Sequence, residues 1–183
     1  AWGCGGKVRY ALEGSIFNAG SAVKWLRDDL KLIGSAHEVD ILAEQVPDAG
    51  GAYFVSAFTG LGAPHWDMYA RGTCMGLTRA TGRPHSARAV LEGIAYQIAD
   101  LSATMEDDAR MPLQEIRVDG GLSVSNVTMQ FQADILNKRV IRPACVESTA
   151  LGAAMLACLG AGVYQGEEEI RAFWQSEAVF DPA

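Results

Sequence analysis

Paired cysteines, clustered histidines and long apolar runs are all missing from this chain of 183 residues. The four cysteines, Cys4, Cys74, Cys145 and Cys158, stand far apart, and none makes a C-x-x-C pair. The three histidines, His37, His65 and His85, show no metal-ligand spacing. That excludes a zinc or disulfide framework, assigns no residue to a metal, and leaves reduced thiols acting as small hydrophobes in a cytoplasmic protein. Positive charge is scarce too. Net charge is −7 with no basic stripe, so nucleic acid is excluded as a partner. No apolar run approaches the ~18 residues of a membrane span. Residues 1–7 lack the charged start and apolar core of a signal peptide. An initial Met is absent as well, as expected of a processed chain or a fragment. There is no G-x-x-x-x-G-K-[ST] loop, and no G-x-G-x-x-G follows an early strand, which removes a Rossmann dinucleotide domain. No internal repeat or low-complexity linker interrupts the chain.

What remains is ordinary soluble-domain material, 49% apolar and 20% charged, enough to bury roughly 70% of the unfolded surface. Trp25, Leu26, Leu30 and Ile33 recur at helical spacing and predict a helix over 21–33, stopped by Gly34. A short helix is expected over 38–44, and turn chemistry at Pro47–Gly51. Residues 53–58 read as a buried strand, 59–72 as a long loop, and 75–77 as a further short strand. Val90, Leu91, Ile94, Ile98, Leu101 and Met105 predict the longest helix, about 85–108, with Pro84 at its start. Strands are expected at 116–118 and 139–142, and helices at 127–136 and 149–159. The run Glu167-Glu168-Glu169 reads as a solvated helix face. Helices alternate with strands, so the class is α/β.

One junction stands out chemically. The strand Ile116-Arg117-Val118 stops at Asp119-Gly120-Gly121, and a helix follows. Such a junction leaves backbone N–H groups unpaired and gathers about +0.5 of a charge at the helix start. It suits a phosphate lying close to backbone. Taken alone, the plainer reading is preferred: glycines there serve a tight turn. Gly20, at another helix start, is a second place where backbone can approach a flat ligand. The Ala- and Gly-lined helix from Thr149 suits either close core packing or a compact hinge.

In company these segments become recognisable. From about Tyr10 to Tyr164 the chain resembles the C-terminal lobe of the FGGY carbohydrate kinases, within the actin-like ATPase superfamily. The landmarks include Trp25-Leu26-Arg27-Asp28, Tyr69-Ala70-Arg71-Gly72, Gly76-Leu77-Thr78-Arg79, Met129-Gln130-Phe131-Gln132 and Thr149-Ala150-Leu151-Gly152. A loop of form G-L-G-A-P-x-W-D, residues 60–67, looks like the glycerol kinases of that family and unlike its xylulose, ribulose or gluconate kinases. The resemblance implies an α/β lobe of ribonuclease-H-like fold, incomplete at its N-terminal strands. Residues 1–165 would form the nucleotide-binding lobe and 166–183 a tail helix of the same lobe, with the N-terminal lobe absent. It implies ATP/ADP at Gly20, Lys24, Gly121, Ser125 and Asn126, with Gly121 at the phosphate–ribose end and Ser125 or Asn126 at the adenine edge. The helix from Thr149 matches the interlobe hinge.

Several positions depart from the family pattern. Ser125 stands where Asn is common, and a hydroxyl offers less than an amide. Adenine recognition is then looser or passes to Asn126. Lys24 stands where Gln is common, so contact there rests on the side-chain stem or is lost. Cys74 and Ser86 replace larger apolar residues, and His65 replaces a frequent Tyr.

Phosphoryl transfer needs positioned phosphates, Mg²⁺ and an oriented nucleophile. Asp67, Asp100 and Asp119 are the acids that could be nominated as a base. Asp67 reads as a turn cap, Asp100 as an exposed helix residue and Asp119 as an organiser of its turn or of a bound ribose. No catalytic residue is assigned in this chain. The base, the glycerol site and the Mg²⁺ ligands are expected in the N-terminal lobe. The expectation is the nucleotide-binding part of an ATP-dependent glycerol kinase, inactive alone and homo-oligomeric when complete. Two alternatives stand beside it: another FGGY sugar kinase, and a non-catalytic nucleotide-binding module. Lacking leading strands, the chain is expected to show a bare sheet edge and exposed apolar surface.

Overall fold

A computed structural model describes residues 2–4 and 6–183. The side chain of Cys4 lies outside what is described, so the expectation of a reduced thiol there has no structural counterpart. The elements run β1 (Trp2–Cys4), β2 (Lys7–Arg9), α1 (Gly20–Asp28), α2 (Glu38–Ala43), β3 (Tyr53–Val55), β4 (Thr73–Met75) and α3 (Arg83–Ala109). Then come β5 (Glu115–Arg117), a 3-10 turn (Gly121–Val124), α4 (Asn126–Leu136), β6 (Arg139–Pro143), α5 (Ser148–Gly160), α6 (Glu167–Arg171) and β7 (Ser176–Phe180). The α/β class is as expected.

Helix α3 organises the larger core. Its apolar positions Val90, Leu91 and Ile94 are buried against Val23 and Leu26 of α1, Val39 and Leu42 of α2, and Phe54 of β3. Trp25 stacks on Phe54 at 5.5 Å and meets Phe58 at 5.1 Å. Close approach of α3 to β3 depends on Gly93, where a Cβ would fall 2.0 Å from the Phe54 carbonyl oxygen. A smaller core, Met129, Ala133 and Val140 with Ile116, Val118 and Phe180, joins α4 to the sheet β5-β6-β7. In that sheet β5 and β6 are parallel, as a strand–helix–strand unit requires, and β7 returns antiparallel to β6. β1 and β2 form a separate antiparallel pair, as do β3 and β4.

Some boundaries move. The helix expected over 21–33 is Gly20–Asp28. Lys31 takes a left-handed conformation, and Leu30 N–H and Leu32 N–H bond back to Trp25 O and Leu26 O, which closes the helix early. Ile33 is buried all the same, from the turn that follows. The strand expected at 53–58 is only Tyr53–Val55, and its partner is Thr73–Met75 rather than 75–77. Pairing ends at Met75 opposite Tyr53, and the next residue, Gly76, takes φ +75, outside the extended backbone a strand requires. The first parallel strand is Glu115–Arg117, one residue earlier than read.

The tail read as a helix over 166–183 is helical only at Glu167–Arg171. Ser176–Phe180 instead adds a strand, because alternating Ala178 and Phe180 place an aromatic on the smaller core. Helix α5 buries none of its residues, and Leu151 and Leu156 are exposed. Among the described residues no helix is long and apolar enough to cross a membrane.

Candidate functional site: a glycine-lined cleft

Three segments far apart in sequence line one cleft of about 750 Å³: Gly20 to Arg27 of α1, Ala36 to Asp40 around α2, and Asp119 to Ser125 at the turn before α4. Four of the five residues assigned from sequence, Gly20, Lys24, Gly121 and Ser125, are in its lining. Asn126 is not.

The α1 wall is set by a polar chain. Asn18, just before the helix, is buried. Its amide donates to Thr59 Oγ1, its Oδ1 accepts from Ser21, and its carbonyl accepts from Ser56, to which Gln97 of α3 donates. This fixes the start of α1 while leaving it without a side-chain cap. Gly20 and Ser21 of its first turn line the cleft, and the N–H of the next residue, Ala22, bonds to Ala19 O.

The opposite wall is held from behind by Arg142 of β6. Its guanidinium donates to the carbonyls of Ser123 and Val124, to Asn126 Oδ1, and to Glu177 of β7 at 2.9 Å, and lies 5.4 Å from the Phe180 ring. Gly120 takes φ +79 and its N–H bonds to Val146 O. The glycine pair therefore divides its tasks. Gly120 makes the turn, whereas Gly121 has an ordinary φ and nothing within 4 Å of an added Cβ. Gly20 is equally open. Neither residue is kept small by the fold.

Ser125 is buried and caps α4, accepting from Thr128 N–H at 3.0 Å. It also lies 2.7 Å from the Thr128 hydroxyl and donates to Asp40 Oδ1 of α2. A hydroxyl has one proton and two lone pairs, so Ser125 is saturated. Asn126 is turned to Arg142. Sequence reasoning missed Asp40, the acid that meets Ser125 within the cleft. Burial pushes its carboxyl above the usual carboxylate range, with Ser125 and His37 opposing and Glu44 assisting. Lys24 and Asp119 supply opposite charges in the same lining. Val23, Val39, Leu122 and Val124 make the rest largely apolar, as a flat ligand requires.

The segments that frame this cleft match a known domain. The sequence pattern of the FGGY carbohydrate-kinase C-terminal domain covers residues 3–161. The chain belongs to the FGGY family of carbohydrate kinases. Over 183 residues it is 57% identical to glycerol kinase 2 of Thermotoga maritima, all of this chain against 37% of that one. It is 53% identical to the glycerol kinase of Alkaliphilus oremlandii, again over all of this chain and 36% of the relative. The chain thus spans little more than a third of the curated relatives it matches. A crystal structure of Plasmodium falciparum glycerol kinase with ADP superposes with TM-score 0.83 at 37% identity, covering 92% of this chain and 34% of that one. A xylulose kinase of Lactobacillus acidophilus gives TM-score 0.76 at 30% identity, covering 92% of this chain and 34% of its own. The fold of this FGGY lobe is the actin-like ATPase fold expected from its landmarks.

Other family landmarks lie outside the cleft. The Gly60–Asp67 loop packs beside Ser15, Ile16 and Gln97, with His65 Nε2 3.3 Å from Asp100 Oδ2. Asp67 caps its own turn, accepting from Tyr69 and Ala70 N–H at 2.8 and 3.1 Å. Helix α5 lines a different cavity of about 810 Å³, with Phe173 and Trp174. That space is larger, but it exists because α5 stands off the tail without burying a residue. Among the described residues no group of His, Cys, Asp or Glu could hold a metal ion.

Proposed function

We propose that the cleft between the start of α1 and the Gly121 turn holds the adenine nucleotide of an ATP-dependent glycerol kinase. The observation that carries this is the pair Gly20 and Gly121. Both line the cleft, and the backbone needs neither to be glycine. Space left open at two helix starts suits phosphate and ribose. The relatives named glycerol kinase and the ADP-containing solved structure support the same reading.

The complete enzyme would transfer the γ-phosphoryl group of ATP to a terminal hydroxyl of glycerol, giving sn-glycerol 3-phosphate and ADP. Gly20, Lys24 and Gly121 bind and orient the nucleotide, while Ser125 acts by holding Asp40 and capping α4. Asn126 serves the wall through Arg142. In this reading the base, the glycerol site and the Mg²⁺ ligands belong to a further lobe, as in the longer relatives named glycerol kinase, of which this chain spans little more than a third. Helix α5, none of whose residues is buried, is the surface on which that lobe would move, closing to exclude water from the transfer. A cytoplasmic, homo-oligomeric enzyme is part of the same reading.

A coupled assay of the longer kinase carrying this chain, run against glycerol and a panel of pentuloses, tests the substrate. Turnover of glycerol above every ketose is expected. Preference for a ketose would overturn the glycerol reading in favour of another FGGY sugar kinase.

A further inference from the structure

Adenine recognition in this cleft has no free amide to rely on. The Ser125 hydroxyl is used up by Asp40 and Thr128. Asn126 lies outside the lining and its Oδ1 is held by Arg142. What does face the cleft beside Ser125 is the Asp40 carboxyl. It is half-buried, on the short helix α2, next to Val39 and across from Leu122 and Val124. Ser125 occupies Asp40 Oδ1, while Oδ2 has no hydrogen-bond partner among the described residues. Asp40 thus brings a carboxylate with one oxygen unpartnered into a lining shared by apolar Val39, Leu122 and Val124 and by Lys24, Arg27 and His37.

We propose that Asp40 is the residue that selects the base, taking a 6-amino purine and refusing a 6-oxo purine. This rests on the nucleotide reading of the cleft given above. A carboxylate only accepts hydrogen bonds. The exocyclic amino group of adenine offers a donor to Oδ2. A 6-oxo purine turns lone pairs toward lone pairs there, and both groups lose water without gaining a bond. A site built to bond an N–H discriminates strongly against the analogue that lacks it. Ser125 is then a positioning residue: its proton fixes Oδ1 and so aims Oδ2. Its place at the α4 cap ties that aim to the Gly121 turn.

The proposal predicts what an isosteric change does. In Asp40→Asn the amide oxygen keeps the Ser125 bond, and the amide nitrogen turns a donor into the cleft. That donor now fits a 6-oxo group. Calorimetric titration of the protein with ADP and with IDP reads the outcome. The unsubstituted protein should bind ADP about tenfold or more tighter than IDP, roughly one 1.4 kcal/mol step. Asp40→Asn should bring the two within about twofold of each other or reverse them, with IDP binding gained as ADP binding is lost. Asp40→Ala, which removes the acceptor without adding a donor, should weaken ADP until it matches IDP. An ADP-to-IDP ratio that stays unchanged in either variant overturns the role of Asp40. A merely structural role would weaken both nucleotides alike and also overturns it. The nucleotide reading fails separately, and this inference with it, if the unsubstituted protein binds no ADP. If ADP binds and Gly121→Val abolishes it while the Asp40 variants keep the wild-type ratio, only the inference falls.

Discussion

At the scale of single residues, the glycines sort by what their missing Cβ leaves room for. Gly93 and Gly76 leave room for backbone: a Cβ would lie 2.0 Å from Phe54 O and 1.9 Å from Gly51 O. Gly20 and Gly121 leave room for nothing in the chain itself. The distinction has measurable consequences. Gly93→Ala should cost about 1–3 kcal/mol, since helix α3 must back away from β3 along a packed seam. Gly121→Ala should change stability by no more than about 0.5 kcal/mol, because its φ is ordinary and its surroundings are open. Urea unfolding of both variants checks this. Equal costs at the two positions would contradict the assignment of Gly121 to a ligand rather than to the fold.

At the scale of elements, the end of α3 shows how connections are pinned. Arg110 closes the helix in a left-handed conformation. Glu106 on the last turn then accepts from Leu113 N–H at 2.6 Å and from Lys138 Nζ at 3.0 Å, joining α3 to the approach of β5 and to the end of α4. Lys138 and the Leu113 N–H hold the Glu106 carboxyl below its ordinary value. A carboxylate depressed in the folded state adds stability above its unfolded pKa, and that gain disappears as pH falls through the folded value. Glu106→Gln should therefore be less stable than the parent at neutral pH, and the gap should close in acid, once pH has fallen through the folded value. Denaturation curves at neutral and acid pH decide it. A gap that stays constant would mean Glu106 acts through packing alone.

Much at this scale was legible in the sequence. Helix α3 follows from its apolar spacing and from Pro84, and the strand–turn–helix at Asp119 follows from its glycines. Ile33 misled the boundary of α1, because burial continues through the turn after the helix has closed at Lys31. The tail misled differently. Its acidic run does make a short helix, but β7 depends on a place beside β6 that only the folded sheet provides. Asp40 was illegible for a related reason. It meets Ser125 across 85 residues of sequence, and nothing in a short amphipathic helix says which of its polar residues will turn inward to a cleft. The same contact explains why Ser125 and Asn126 could not be ranked from sequence, since each is committed to a partner from a different element.

At the scale of the whole molecule, the lobe carries the proposed nucleotide cleft and, apart from it, helix α5, which buries none of its residues. The open sides of α5, with Leu151 and Leu156 exposed, accord with a chain that spans about a third of its relatives. The core under the cleft is separate from that surface: α1 and α2 pack on α3, and the Gly121 turn is held by Arg142 of β6, without a residue of α5 in the lining. Nucleotide binding can therefore be tested apart from phosphoryl transfer. The most direct test of the central claim is calorimetric titration of the protein and of Gly121→Val with ADP. The account predicts millimolar or tighter binding by the parent, weakened about tenfold or more in a variant that melts at the parent's temperature. Unchanged ADP affinity in a folded Gly121→Val would contradict it.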